Sequence, residues 1–174
     1  MADGVVAERK AALRARFRGV RGQRRDESAR RALDRLLALP ELESARVVAF
    51  YAAIGDEVPV ETAAERCRIR GVRTVYPVVS GPELELASDP AREERVAAAE
   101  VDLFVVPGVL FDRAGRRLGR GGGHYDRLLA RRRPGALRVG ICYADRLVDE
   151  LPHEPWDVPM DVVVSDLVTL RFGR

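Results

Sequence analysis

Cysteine, histidine and tryptophan are scarce in this sequence, and each shortage removes a class of chemistry. Of 174 residues, two are cysteine, two histidine and one tryptophan. Cys67 and Cys142 stand far apart and in no metal-type spacing, which argues against a disulfide framework and for a reducing compartment. The histidines form no Ser-His-Asp or Cys-His arrangement, so covalent nucleophilic catalysis has no support. His153 lies in a proline-rich stretch and reads as solvated, since a lone histidine carries no partner information. Trp156, a lone tryptophan, reads as core or boundary packing. No apolar run approaches the length needed to span a bilayer. The opening residues, MADGVVAERKAALRARF, are charged and lack the apolar core of a signal peptide. The expectation is a cytoplasmic protein with no membrane association.

What is present is an ordinary globular composition, 47% hydrophobic and 33% charged, in one domain over residues 1–174. The net charge is only +3, yet the isoelectric point is about 9.2 because arginine dominates the cations. Genome composition explains that arginine load as well as function does. Charges of both signs mix along most of the chain, and no basic tail or aromatic-basic interleaving is found. A basic RNA-binding module is therefore a distant alternative, and an anionic small molecule accounts for the arginine clusters equally well.

Apolar strand-like runs alternate with amphipathic stretches. Helical patterns cover residues 5–20, with Val6, Leu13, Phe17 and Val20 on one stripe, and 27–39, stopped near Pro40. Further helices are expected over 60–70, ended by Gly71, and over 91–100 and 123–133. Strands are expected at 46–51, 72–79, 84–87, 101–106, 138–143 and 161–165. The fold class is α/β, a three-layer domain with a largely parallel central sheet flanked by helices. Ligands then gather at the carboxyl ends of the strands, which points to the loop after Val106.

That loop is rich in glycine. Residues 111–127 read FDRAGRRLGRGGGHYDR, with glycine at 119, 121, 122 and 123. Such a run lets backbone N–H groups turn toward a phosphate without Cβ clashes, and a helix start behind it adds donors. Arg116, Arg117 and Arg120 supply forked cations. The loop lacks the Gly-Lys-Ser/Thr ending of a P-loop and the third small residue of the dinucleotide fingerprint, His124 standing there instead. Taken as glycine content alone, it is also compatible with a surface turn.

Residues 106–112 (VPGVLFD) followed by 117–127 (RLGRGGGHYDR) resemble the signature of the 5-formyltetrahydrofolate cyclo-ligase family. His124 departs from it, standing where the first of two tyrosines is usual. Other pieces fall in the same order. Lys10 and Arg14 lie on one face of the first helix, at the shoulder of its apolar stripe; by sequence alone they equally suit snorkelling surface cations. Glu57 follows a strand and Tyr51, and suits either a pterin's N–H donors or a helix start. Asp126 and Asp157 suit magnesium, which takes one or two carboxylates plus phosphate oxygens, or simple helix and turn positions.

The resemblance implies an ATP- and Mg²⁺-dependent ligase that converts 5-formyltetrahydrofolate to 5,10-methenyltetrahydrofolate. It implies ATP contacts at Lys10, Arg14, Arg117, Gly119, Arg120, Gly121, Gly122, Gly123 and Tyr125. Folate contacts fall on Tyr51, Glu57, Arg120 and His124, and metal contacts on Asp126 and Asp157, with Asp161 structural. Lys10, Arg14 and Arg120 would stabilise phosphate charge. The expected state is a monomer or weak homodimer. The chain departs from the family pattern between Pro77 and Asp102, where it is short, at Arg146, where glutamine is common, and at Trp156 and Ser165. The alternative is a diverged relative that binds ATP but acts on another substrate, or binds folate without turnover.

Overall fold

A computed structural model describes residues 2–17, 25–88 and 94–173. The central element is an eight-stranded sheet in the order β11-β10-β8-β5-β1-β2-β3-β4. Its parallel heart comprises β10 (Val162–Val164), β8 (Leu137–Ile141), β5 (Leu103–Val106), β1 (Val47–Ala49) and β2 (Arg73–Ser80). The edges are antiparallel: β11 (Thr169–Arg171) on one side, β3 (Glu83–Ser88) and β4 (Arg95–Val96) on the other. Every residue of β5 and β10 is buried, as continuous apolar runs require when a strand is covered on both faces.

Two apolar layers provide that cover. On one face pack α2 (Arg25–Leu37), α3 (Pro40–Ser44) and α4 (Glu61–Ile69), whose Ala32, Leu36, Leu42 and Ala63 are fully buried. On the other lie Phe104, Val106, Phe111, Leu128 and Leu129, the last two from α5 (His124–Ala130). Each buried leucine or phenylalanine contributes about 1.5–3 kcal/mol. The α/β class with a mostly parallel sheet is as the sequence indicates. No helix among the described residues is long and apolar enough to cross a membrane.

Several expectations are corrected. Residues 95–96 form a strand and 98–100 a single 3₁₀ turn where a helix was read over 91–100; the earlier part of that stretch lies outside the described residues. Val96 and Ala98 both face the second core layer, so tertiary burial outweighs the helical preference of the alanines. Pro40 does not merely stop a helix but starts α3, at the first position where its missing N–H costs nothing. The glycine-rich segment is not one loop. It begins as a hairpin of β6 (Leu110–Asp112) and β7 (Arg117–Leu118), extended by β9 (Leu147–Val148) into a three-stranded sheet.

That small sheet has its own tie. Asp112 is fully buried and accepts backbone N–H groups from Ala114, Arg116 and Leu151 at 2.8–2.9 Å. Against this sheet's apolar cluster of Leu110, Leu118 and Leu151 rest Leu13 and Phe17 of α1 (Ala2–Phe17). The stripe read for α1 thus docks through these two residues, while Val20 lies outside the described residues.

Candidate active site

Loops leaving β1, β5 and β2 at their carboxyl ends meet the glycine-rich turn around a cleft of about 260 Å³. Its walls are mostly apolar: Tyr51, Ile54, Pro77, Val79, Leu84, Pro107 and Tyr125, with Glu57, Arg117, Gly119, Arg120, Gly122 and His124 among the polar lining. The β2–β3 hairpin supplies Pro77, Val79 and Leu84, so the stretch that is short by the family pattern still builds one wall. Tyr51 donates its hydroxyl to Val58 O at 2.6 Å. Burial raises the pKa of both Tyr51 and Tyr125, keeping both phenols neutral and offering the cleft their rings.

Glu57 is not a helix start, since α4 begins four residues later. Its carboxylate accepts the Ile54 N–H at 2.9 Å and the Arg120 guanidinium at 3.0 Å. Arg120 also donates to Ile54 O at 2.7 Å. The pair therefore bridges the loop after β1 and the glycine-rich turn. His124 Nδ1 lies 3.0 Å from Pro82 O, and Arg127 binds the same oxygen and Glu83. These contacts tie the start of α5 to the β2–β3 turn. At seven residues, α5 is shorter than expected over 123–133, and its dipole contributes correspondingly little.

Behind the glycine-rich turn lies α1. Arg14 Nε donates to Gly119 O at 2.8 Å. Gly121 sits beside the Arg14 guanidinium, which a Cβ would meet at an ordinary contact distance of 3.5 Å; its φ of +107° is what calls for glycine. Lys10 is buried and donates to Asp157 at 2.5 Å and Glu154 at 2.6 Å. Burial pulls its pKa down, but hydrogen bonds to Asp157 and Glu154 and their charges outweigh this and raise it. Lys10 is thus no snorkelling cation, and it is the sequence's only lysine.

The remaining residues divide. Arg117 is buried in a 3.0 Å pair with Asp126, beside the Tyr125 ring. Asp126 also accepts the Val158 N–H at 3.2 Å, which brings it against the segment carrying Asp157. Arg116 turns the other way, to Glu150 and Leu151 O. Asp161 is structural, gripping Arg138 through side chain and backbone. Trp156 is 62% exposed rather than packed, because its turn bends to bring Glu154 and Asp157 onto Lys10. His153 is exposed. Glu154, three residues before Asp157, is a partner that sequence reasoning missed; a lone lysine among arginines and an acid pair in one turn were its signal.

An apolar cleft with a few convergent polar groups, at the carboxyl ends of parallel strands, defines the small-molecule site of an α/β enzyme. The profile of the 5-formyltetrahydrofolate cyclo-ligase family matches residues 6–166, and the chain belongs to that family of ligases. It is 28% identical to the 5-formyltetrahydrofolate cyclo-ligase of Escherichia coli K12, over 88% of this chain and 96% of that protein. The NMR structure of Aquifex aeolicus 5,10-methenyltetrahydrofolate synthetase superposes with a TM-score of 0.81 at 30% identity, covering 98% of this chain and 95% of that one. The Mycoplasma pneumoniae 5,10-methenyltetrahydrofolate synthetase gives 0.81 at 29% identity, over 90% and 98%.

Proposed function

We propose that the protein converts 5-formyltetrahydrofolate to 5,10-methenyltetrahydrofolate using ATP, with release of ADP and phosphate. The observation that carries this reading is the position of the glycine-rich turn. It is a shared wall with the apolar cleft on one side and the cations of α1 on the other. One face suits a flat, part-aromatic folate, the other a polyphosphate.

The formyl oxygen of the substrate is a poor leaving group. Transfer of the γ-phosphoryl group to that oxygen makes it a good one; the neighbouring nitrogen then attacks the formyl carbon, and phosphate departs as the ring closes. Such chemistry calls for positioning and charge neutralisation rather than a protein nucleophile. Glu57 would accept the pterin's N–H donors between the rings of Tyr51 and Tyr125. Those donors would take over from Arg120, which occupies Glu57 in the free protein, and release its fork toward phosphate oxygens. Lys10 and Arg14 hold positive charge behind the turn, and His124 closes the cleft toward the β2–β3 hairpin.

Two carboxylates are the candidates for Mg²⁺, which takes one or two of them beside phosphate oxygens. Asp157 keeps Oδ1 without a protein hydrogen bond among the described residues while Oδ2 holds Lys10, and Asp126 stands against the same segment. Asp157 and Asp126 would hold the ion, which would supply charge neutralisation at phosphate oxygens. Against RNA binding stands the pairing of the loop arginines: Arg116, Arg117, Arg120 and Arg127 each face a carboxylate, so they offer no open basic stripe.

The test is turnover by purified protein with Mg-ATP and 5-formyltetrahydrofolate, followed by the methenyl chromophore. ATP-dependent product formation that Glu57→Ala lowers about a hundredfold in kcat/KM supports the reading. Folded protein that binds ATP yet forms no product would remove this substrate and leave a diverged relative.

A further inference from the structure

Helix α1 carries Lys10 and Arg14, yet among the described residues it packs on the small sheet's apolar cluster through two half-buried side chains, Leu13 and Phe17. Its carboxyl end meets a group outside the cleft described above. Arg146, in the short 3₁₀ turn after β8, is 4% exposed. Its Nη1 donates to Phe17 O, the carbonyl of the helix's last residue, at 3.0 Å. The guanidinium lies 5.3 Å from the centroid of the Phe17 ring, a cation–π arrangement. Its Nη2 donates to Asp56, the residue beside Glu57, and Asp145 lies 3.7 Å from Nε.

One buried side chain thus grips the end of the helix that bears the cations and the loop that bears Glu57. Arg146 also lines a small crevice shared with Asp56, Glu57, Val58, Gly108 and Tyr143. A planar fork with several fixed donors suits this double grip; an ammonium on a flexible stem does not.

We propose that Arg146 is a positioning residue that fixes α1, and with it Lys10 and Arg14, relative to the loop of Glu57, so that the two halves of the site are assembled together. The inference rests on the functional reading above. The two sides differ in how far they depend on this clamp. The Glu57 loop has other anchors, in Tyr51 to Val58 O and in Arg120 to Ile54 O. Lys10 and Arg14 have their own contacts further up α1, but among the described residues the carbonyl that ends the helix is held by Arg146, beside the packing of Phe17. Loss of the clamp therefore falls on the nucleotide side.

The experiment compares the full-length protein with Arg146→Ala and Arg146→Lys by two readouts. In kinetics, Arg146→Ala raises KM for ATP about tenfold and moves KM for 5-formyltetrahydrofolate less than about twofold, with Arg146→Lys in between. In chemical labelling, Lys10 is the only lysine, so its modification by an amine-reactive reagent is followed on one peptide. Buried in the wild type, it reacts about tenfold faster in Arg146→Ala at temperatures where the protein stays folded. Equal KM shifts for both substrates, or unchanged labelling of Lys10, would overturn the clamp. If Arg146→Ala does not fold, Arg146→Gln, which adds no second amine, carries the same two comparisons with smaller expected shifts, and no shift there overturns it equally. If the wild type fails to turn over, the functional reading falls, while the labelling rate still decides whether Arg146 holds α1.

Discussion

Helices α1 and α2 follow one another in the chain and are docked by opposite means. Helix α2 buries Ala29, Ala32, Leu33 and Leu36 in the larger core layer. Helix α1 half-buries Leu13 and Phe17 and adds polar contacts: Lys10 to Glu154 and Asp157, Arg14 to Gly119 O, and Arg146 to Phe17 O. The first mode gives stability that has no direction. The second is directional and sets charges at fixed places, at the cost of desolvating them. On the function proposed above, the difference assigns α1 to the site and α2 to the scaffold.

The largest expected effect breaks the polar mode. Lys10→Ala removes the cation shared by Glu154 and Asp157 and should lower kcat about 10²–10³-fold, the scale of losing one preorganised charge. Thermal unfolding should change far less than turnover. Next comes the opposite probe. Leu36→Ala in α2 opens a cavity in a fully buried position and should cost about 3 kcal/mol in urea unfolding, with KM for both substrates unchanged. Third, Asp112→Ala strands three backbone donors beneath the small sheet on which α1 rests, costing about 2 kcal/mol. It should also raise KM for ATP, because the platform for Leu13 and Phe17 loosens.

The smallest effects come with pH and separate the modes by sign. The raised pKa of Lys10 means the folded form holds this proton more tightly than the unfolded chain. Its contribution is complete below the ordinary value of 10.5 and is lost as pH rises through the folded value. Asp102 behaves oppositely. Burial pushes its pKa up, but backbone N–H groups of Val47 and Arg46 and the Arg133 guanidinium bring it below the ordinary 3.8. Its tie between β1 and β5 is present above that value and is lost as pH falls through the depressed one. Amide exchange should therefore show α1 loosening first in alkali and the start of β1 loosening first in acid.

Much of the sheet was legible because buried parallel strands are written as short apolar runs, as at 101–106 and 161–165. In the described part of 91–100 the expected helix gives way to β4 and a 3₁₀ turn, because two residues, Arg95 and Val96, carry no strand pattern of their own until β3 offers them an edge. The hairpin of β6 and β7 was hidden by the same glycines and arginines that made the loop conspicuous. Lys10, Arg14, Glu57 and Arg120 are marked in the sequence by their motif order, and the structure sets them around the glycine-rich turn. Their partners carry no such mark. Glu154, Ile54 O and Gly119 O meet these side chains across gaps in sequence that no local pattern encodes, and Arg146 reaches Phe17 from the far end of the chain.

The central claim is that α1 serves the nucleotide and the cleft serves the folate. Because Lys10 is the only lysine, biosynthetic ¹³C-lysine labelling gives one Cε–H side-chain signal to follow by NMR. Mg-ATP is predicted to shift that signal, while 5-formyltetrahydrofolate alone leaves it in place and perturbs the tyrosine ring signals instead. A lysine signal that moves with folate and ignores the nucleotide would contradict the account.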